Sequence, residues 1–554
     1  MADFLWEQNP HTSQPDRFKK LYNEDNFLRL TDRLTVHGYE KTYFHRKREN
    51  GDFIVAIGSC YYPGKTIAAS LEDILDTGTF DGATIARLKT ELVGQYILVI
   101  KKGGTLYFLN DNWQVRQIFY SPNPHIIASS LSVLEERLTT GSQYPDEYKI
   151  FEYLAAQYVY YYPAWFNNGT MHKGIFFLRP FEYIEMDAAT GHGEIKSIQF
   201  RIDNKKETHL ESLVNRFIDT LKAIIENPAF RDQPVGLTLT GGYDSRLISS
   251  TAAPYYESSE LRLGISRDIA ASLEDLTIAE KVARRLKRPL RKCYTTDESR
   301  ENFNFYTEGM SPPQNCVIAP LIEEAGRYAV GFGGIFGTEL FKPLPIYSSA
   351  ADFAAKRIAH ARKYMKAGEN LWQQLEASII AEIMDIEKHY LLSEPDINDH
   401  IHILYLLHTG FFGSFMLAPY NIKGLQVEPY GHFKILDLVM KLHPSFKPYS
   451  ILLGNGFLQK EAMARINYRA GKITTTHQRP LLPLSARTLP AYLYPFLANK
   501  FRIHLQLFKI RWNIGKRDDQ QKVFETLAND IQIVPNGREI FFKERIEKKY
   551  RTNP

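Results

Sequence analysis

Apolar positions along this chain follow one rhythm up to about residue 200 and another beyond it. In the first stretch they come in short runs bounded by turn residues. Asp52 to Ser59, Gly94 to Ile100, Thr105 to Asn110, Gln117 to Tyr120, His125 to Ser129 and Gly174 to Met186 each read as a strand. Lys101-Lys102-Gly103-Gly104 joins two of these runs, and its glycines permit the positive φ of a tight hairpin, so the region predicts an antiparallel sheet with a helix over Asp146 to Ala156. The polar segment Asp203 to Thr208 closes it. From Leu210 the period becomes helical, with Val214, Phe217, Leu221 and Ile224 on one face. The next apolar run, Val235 to Leu239 between Pro234 and Gly241, has the length and borders of a buried strand. A helix from Asp244, a strand over Leu261 to Ile265, a helix over Ser272 to Leu286 and a strand over Leu290 to Tyr294 follow in turn. This alternation predicts a parallel sheet with right-handed crossovers, and from about residue 350 the pattern is mostly helical.

A chain of 554 residues exceeds what one core organises, so two or three domains are expected. Its 44% apolar and 24% charged residues are those of a globular protein and exclude a collagenous, coiled-coil or disordered chain. The 68 Lys and Arg against 63 Asp and Glu leave +5, too mild a bias over this length to indicate nucleic acid as a partner. Cys60, Cys293 and Cys316 are few and far apart, with no CxxC pair, which is the usage of a reducing compartment. Met1-Ala2-Asp3-Phe4-Leu5-Trp6 has no basic-then-apolar export signal, so a cytoplasmic location is expected. Leu489 to Ile510 is broken by Asn499, Lys500, Arg502, His504 and Lys509, so no transmembrane segment is expected there, and Tyr492 to Arg517 reads as a solvated amphipathic helix. Ser59 to Thr66 lacks the first glycine of a P-loop, the histidines lack metal-ligand spacing, and the glycines of 331–337 miss GxGxxG at Phe336.

The local string with most chemistry in it is Leu239-Thr240-Gly241-Gly242-Tyr243-Asp244-Ser245-Arg246, at the passage from buried strand to helix. Adjacent glycines let backbone N–H groups approach a phosphate, and the helix N-terminus adds orphan donors and positive potential. Ser245 can donate to phosphate oxygens. Asp244 repels an anion unless a cation stands between them, so its presence points to Mg²⁺. Read alone, the octapeptide is equally a plain strand-turn-helix with Asp244 as N-cap.

Within its surroundings the string resembles the SGGxDS pyrophosphate loop of the ATP pyrophosphatase group, and the chain resembles the asparagine synthetase family within that group. Glu274-Asp275, opening the helix through Ala279, Val282, Ala283 and Leu286, is similar to the family's acidic helix after the second strand of its sheet. Gly333-Gly334-Ile335-Phe336-Gly337-Thr338-Glu339-Leu340-Phe341 resembles its G-x-G-x-D-E-L-F loop, and Val427-Glu428-Pro429-Tyr430 its R-x-P-F-L-D segment. Tyr468-Arg469-Ala470-Gly471-Lys472 stands where the R-x-K motif carries the family's catalytic lysine. In the first half, Gly94-Gln95-Tyr96, Asp111, Arg116, Phe119-Tyr120 and Ala128-Ser129-Ser130 look like landmarks of a class II glutamine amidotransferase domain, and Thr170 to Pro180 like the link into the synthetase domain.

The resemblance implies three parts: an antiparallel α+β sandwich of the Ntn-amidotransferase type over residues 1–190, an α/β parallel-sheet ATP-pyrophosphatase domain (adenine nucleotide α-hydrolase-like) over 205–480, and a helical basic extension over 481–554. It implies ATP and Mg²⁺ as cofactors, with Thr240, Gly241, Gly242, Tyr243, Asp244, Ser245 and Gly337 at the nucleotide, Asp244 and Glu339 on Mg²⁺, and Glu339 and Lys472 as catalytic residues. Lys472 would stabilise the negative charge that builds on an acyl adenylate. Two departures shape the rest. A working glutaminase carries Cys directly after the initiator Met, where this sequence has Ala2, and its earliest cysteine, Cys60, is expected in mid-strand. Thr338 stands where the family carries its Mg²⁺-facing Asp. The resemblance therefore points to members whose amine arrives with the substrate, such as β-lactam synthetases and lasso-peptide macrolactam cyclases, and the intramolecular lasso-type cyclase is the subtype expected from the chain's size and its Gly-Gly-Tyr-Asp-Ser-Arg loop. The implied activity is an AMP-forming carbon–nitrogen ligase acting on a small-molecule or peptide carboxylate, with a precursor peptide and its protease as partners. An ammonia-using asparagine synthetase-like enzyme, an amidating enzyme of surface-polysaccharide synthesis and a non-catalytic scaffold are the other readings. Purified protein is expected to release no glutamate from glutamine, and Cys60→Ala to leave amide formation intact; steady glutamate release would overturn both expectations.

Overall fold

The computed structural model describes residues 3–483, 488 and 532–533, except 11–12, 23–25, 40, 123–124, 139–145, 161–162, 266–269, 308–317, 342–343, 418–422, 443–455 and 477–480. Ala2, Cys316 and nearly all of the 481–554 extension, Tyr492 to Arg517 included, lie outside the described residues.

The first half forms two six-stranded antiparallel sheets. One runs in the order Phe176–Phe177, Phe119–Tyr120, Ile126–Ala128, Asp3–Glu7, Leu34–His37 and Phe27–Arg29. The other runs Gly193–Ser197, Glu182–Asp187, Thr105–Asn110, Tyr96–Lys102, Phe53–Gly58 and Tyr43–Lys47. Alternate residues divide the labour. Phe4, Trp6, Val55, Ile57, Val99 and Phe108 fill the space between the sheets, while Leu5, Ile54, Ala56, Leu98 and Ile100 join a second core with helices such as Ile67–Asp76. Both faces of Phe53–Gly58 are therefore covered, which is why its apolar run is unbroken. Gly103 and Gly104 adopt the expected positive φ, 55° and 91°.

Two expectations need correction here. Gly174 to Met186 is two strands, not one: Phe176–Phe177 and Glu182–Asp187 lie in different sheets, separated at Pro180, which has no N–H for a ladder. Cys60 is not in mid-strand but beyond the end of Phe53–Gly58, wholly buried, and burial pushes its thiol well above the ordinary range, which removes it as a nucleophile.

The second half centres on a five-stranded parallel sheet in the order Leu290–Tyr294, Ser259–Ile265, Val235–Thr238, Val330–Phe332 and Leu425–Val427. Its two faces differ sharply. Val235, Leu237, Leu261, Leu263, Val330, Phe332, Leu425 and Val427 make one face apolar. The register places Gly236, Thr238, Arg262, Gly264, Gly331 and Gln426 on the other. Glycines face each other across the Gly236 and Gly331 pairing because the side chain of Arg262 lies over them: a Cβ on Gly236 would stand 2.5 Å from Arg262 Nε, and one on Gly331 2.4 Å from Arg262 Nη2. Around this sheet pack Leu210–Ile225, Asp244–Ala252, Ala270–Leu286 and the mostly helical remainder. Among the described residues no helix is long and apolar enough to cross a membrane.

The antiparallel half grips the edge of the parallel sheet. Ser59 Oγ donates to the Gln426 carbonyl (2.8 Å) and accepts from the Gln95 N–H (3.0 Å), Gln95 Oε1 accepts from the Glu428 N–H (3.1 Å), and the Trp113 indole donates to the Gly431 carbonyl (2.6 Å). Gly94 makes this possible, with φ at +114° and no room for a side chain, since a Cβ would lie 2.1 Å from the Ser59 carbonyl oxygen. Gly94→Ala is expected to cost on the order of 2–4 kcal/mol, through strain at a special φ and displacement of Ser59. Urea unfolding checks this, and an unchanged midpoint would show that the Ser59–Gln95–Gln426 joint tolerates movement.

Candidate functional site

Three segments meet at the C-terminal end of the parallel sheet and enclose a cavity of about 340 Å³. The first is the turn from Val235–Thr238 into the helix Asp244–Ala252. The Thr240 N–H donates to Ser245 Oγ (2.9 Å), the two hydroxyls also bond each other (2.9 Å), and the Gly241 N–H donates to Asp275 Oδ1 (2.7 Å). Gly241 must lack a side chain, because a Cβ would lie 2.6 Å from Asp275 Oδ1.

The second segment, 333–338, is locked onto the first. A Cβ on Gly334 would stand 2.6 Å from the Ser245 nitrogen, and one on Gly337 would stand 2.3 Å from Asp244 Oδ1. Between them Phe336 holds φ at +73°, a costly conformation for a bulky residue, with its ring buried against Trp113 at 6.1 Å between centroids. The third segment, Gln426 to Glu428, carries two polar side chains into the same cavity.

Burial governs the charges. Asp244 is pushed up to about 6 by desolvation, which hydrogen bonds from Gln459 to Oδ1 (2.5 Å) and from the Thr338 hydroxyl to Oδ2 (3.0 Å) only partly offset. Glu428 is pushed further, to about 7, again by desolvation, against the opposing pull of Gln426 Nε2 on Oε1 (2.8 Å), the Ile335 N–H on Oε2 (2.8 Å) and the charge of Arg262. Asp275 is also raised by burial.

Of the residues singled out from sequence, Thr240, Gly242, Asp244, Ser245 and Glu339 all line the cavity. Gly241 and Gly337 stand directly behind them as the close-contact positions. Tyr243 is buried under the ammonium of Lys460, which lies 5.4 Å from its ring centroid. Lys472 is not brought to the cavity wall. It caps the helix Phe457–Gly471 at the surface with its ammonium over the Tyr468 ring at 4.8 Å, whereas Lys460 is 2% exposed. Thr338, in place of an acid, hydrogen-bonds Asp244 and adds no charge.

Glu428 and Arg246 lie in motifs the sequence shows but carry no role there, and Gln426 and Gln459 stand in none. Arg246 is fully buried and held down to about 10 by desolvation; it donates to the carbonyls of Ile473 (2.5 Å), Gly241 (3.1 Å) and Thr474 (3.5 Å), while the Thr476 N–H reaches the Gly241 carbonyl (3.2 Å). Arg246 thus ties segment 473–476 to the glycine turn. The available signal was a charge in an otherwise apolar setting: Glu428 directly after the buried Leu425–Val427 run, Arg246 in the first helical turn.

The donor set fits a hard divalent cation and a polyphosphate. Asp244 is a buried carboxylate held by two neutral donors, with Asp275 and Glu339 on the same wall. Among the described residues no three His, Cys, Asp or Glu side chains converge closely enough to hold a metal unaided. Mg²⁺ fits here with phosphate oxygens completing its shell, the way this ion is ordinarily held.

Residues 216–412 match the asparagine synthase family. No curated protein matches the sequence. Among solved structures the chain shows a weak likeness to the allosteric regulatory enzyme of purine biosynthesis (12% identity over 43% of this chain and 52% of that one, TM-score 0.19). It shows a similar one to glutamine phosphoribosylpyrophosphate amidotransferase from B. subtilis (12%, 42% and 52%, TM-score 0.16). A third is glutamine-dependent NAD⁺ synthetase from Acinetobacter baumannii with ADP (12%, 54% and 60%, TM-score 0.19). The aligned part spans about half the length of the first two.

Because Glu428 binds its proton more tightly folded (about 7) than at its ordinary 4.5, its protonated form stabilises the fold below pH 4.5, and that contribution is lost as pH rises through 7. The melting temperature of wild type relative to Glu428→Gln is therefore expected to fall between pH 4.5 and 7 and to level off above. A difference that stays flat across that window would place Glu428 in water.

Proposed function

With an asparagine synthase domain at residues 216–412 as the premise, we propose that this chain is an ATP-dependent, AMP-forming amide synthetase whose amine is carried by the substrate. The observation that carries the reading is the joining, in one cavity, of a glycine turn at a helix start, buried Asp244, and Glu428 near neutrality. A substrate carboxylate is a poor electrophile. Its oxygen attacks the α-phosphorus of ATP, pyrophosphate leaves, and an acyl adenylate results. The amine nitrogen then attacks the acyl carbon, its proton passes to the Glu428 carboxylate, and AMP departs.

Mg²⁺, when bound, supplies the positive charge that lets a polyphosphate lie beside carboxylates. The chain's own residues do the rest. Ser245 and the 240–242 backbone orient the phosphates once they replace the internal partners those groups now hold, and Asp244 and Glu339 would supply oxygen ligands to the ion. Glu428 suits a general base because a group titrating near 7 is half ionised at neutral pH and still basic enough to take a proton. Lys460 does not line the cavity either, but its buried ammonium lies over the Tyr243 ring of the glycine turn, and we assign to it the charge-stabilising role expected of Lys472.

Two observations favour an amine that comes with the substrate. Cys60 is sealed in the core. The junction between the two halves is also tightly packed at Trp113, Phe336 and Gly431, with the Trp113 indole on the Gly431 carbonyl and a Cβ on Gly431 only 3.1 Å from the Phe336 ring. A peptide carrying both groups, as in macrolactam closure, is the substrate class this supports, and a precursor peptide with its protease the corresponding partners.

ATP–pyrophosphate exchange over a panel of amino acids and peptides tests the reading, with AMP the expected nucleotide product. Asp244→Asn is expected to abolish exchange. Glu428→Gln should retain exchange and lower amide formation about 10²- to 10⁴-fold, and the wild-type rate should rise with pH through about 7. Formation of ADP, or loss of exchange in Glu428→Gln, would sink the assignment.

A further inference from the structure

We infer that Arg262 is a positioning residue for Glu428, acting through Gln426 across the polar face of the parallel sheet. The inference deepens the proposed function and rests on Glu428 being its base. Arg262 Nη2 faces Gln426 Oε1 at 3.4 Å and the Gly236 carbonyl at 3.5 Å, and Gln426 Nε2 donates to Glu428 Oε1 at 2.8 Å. A guanidinium has donors only, so the amide must turn its oxygen toward Arg262 and its NH₂ toward Glu428. That orientation makes Gln426 a donor to the carboxylate. Reversed, the amide would offer its carbonyl and favour the protonated acid.

The sheet is built around this chain of groups. Gly236, Gly331 and Gln426 lie side by side in register, and a Cβ on Gly331 would stand 2.2 Å from Gln426 Oε1 and 2.4 Å from Arg262 Nη2. Interior glycines weaken strands, so two facing glycines are a cost that the route for Arg262 explains. The Tyr328 ring covers the guanidinium on its other side, 4.8 Å from centroid to Cζ. The titratable groups around Glu428 are Arg262 on the sheet, Asp244, Asp275 and Glu339 on the cavity wall, Tyr430 two residues on, and His432, whose Nε2 is turned to the Glu91 carbonyl. The groups on the sheet and cavity wall apart from Arg262 are acids, so the cation at the far end of the sheet face favours the ionised base.

The carboxyl stretch of Glu428, assigned by Glu428→Gln difference infrared spectra, reports its titration without any substrate. Arg262→Met and Gln426→Met are each expected to raise its midpoint by about one pH unit, tenfold in proton affinity, and the double variant by no more than either alone. Should Arg262→Met fail to fold, Gly331→Ala, which keeps both groups but drives a methyl between them, should produce the same shift. An unmoved midpoint in either folded single variant, or shifts that add fully, overturns the inference. Because the readout needs no ligand, a protein without ligase activity would sink the function proposed above and leave the relay standing; an active ligase whose midpoint does not move would sink the relay alone.

Discussion

A parallel sheet covered on both sides ordinarily buries apolar residues on both faces, and here one face must instead hold ions. Arg262 and Glu428 are both almost completely buried there, and a charge taken out of water is tolerable only if hydrogen-bonded and near an opposite charge. That demand propagates. Gly236 and Gly331 surrender their side chains to admit Arg262, Gln426 bridges to Glu428, and the Ile335 N–H takes the remaining carboxylate oxygen. The backbone of 426–428 is in turn held by Ser59 and Gln95 from the antiparallel half. With this geometry, a sheet that did not lie against the other half would leave the Glu428 N–H and the Gln426 carbonyl without these partners.

The same economy of space operates at the two glycine loops. The helix start at Asp244 and Ser245 occupies the volume that side chains on Gly337 and Gly334 would need, and Asp275 occupies that of a side chain on Gly241. Contact this close keeps the Asp244 carboxylate desolvated and its proton affinity high. Thr338 fits that setting, because a hydroxyl can donate to Asp244 where a second carboxylate would repel it. Phe336 accepts a left-handed backbone so that its ring can reach Trp113, and Arg246 ties segment 473–476 onto the turn from the other side. The site is thus held by close steric contact as much as by attraction.

Much of the architecture was legible in the sequence because it rests on local rules. Short apolar runs bounded by turn residues and the Gly103–Gly104 hairpin specified antiparallel pairing, the alternation after Leu210 specified a parallel sheet, and the Thr240 to Ser245 turn announced itself by adjacent glycines at a strand-to-helix passage. Each of those signals sits in the element it describes or in the turn beside it. What only the tertiary structure decided are relations between distant residues. Whether Gly174 to Met186 serves one sheet or two depends on strands far away in sequence. Lys472 is marked out by its place in a motif, but packing puts it at the surface over Tyr468 and places Lys460 instead beneath the turn. Glu428 is an unremarkable acid in the chain and becomes a base poised near neutrality only when Arg262, 166 positions earlier, and Ile335 close around it without water. Sequence determines which groups exist and which local shapes they favour; desolvation, which sets their charge, belongs to the assembled fold.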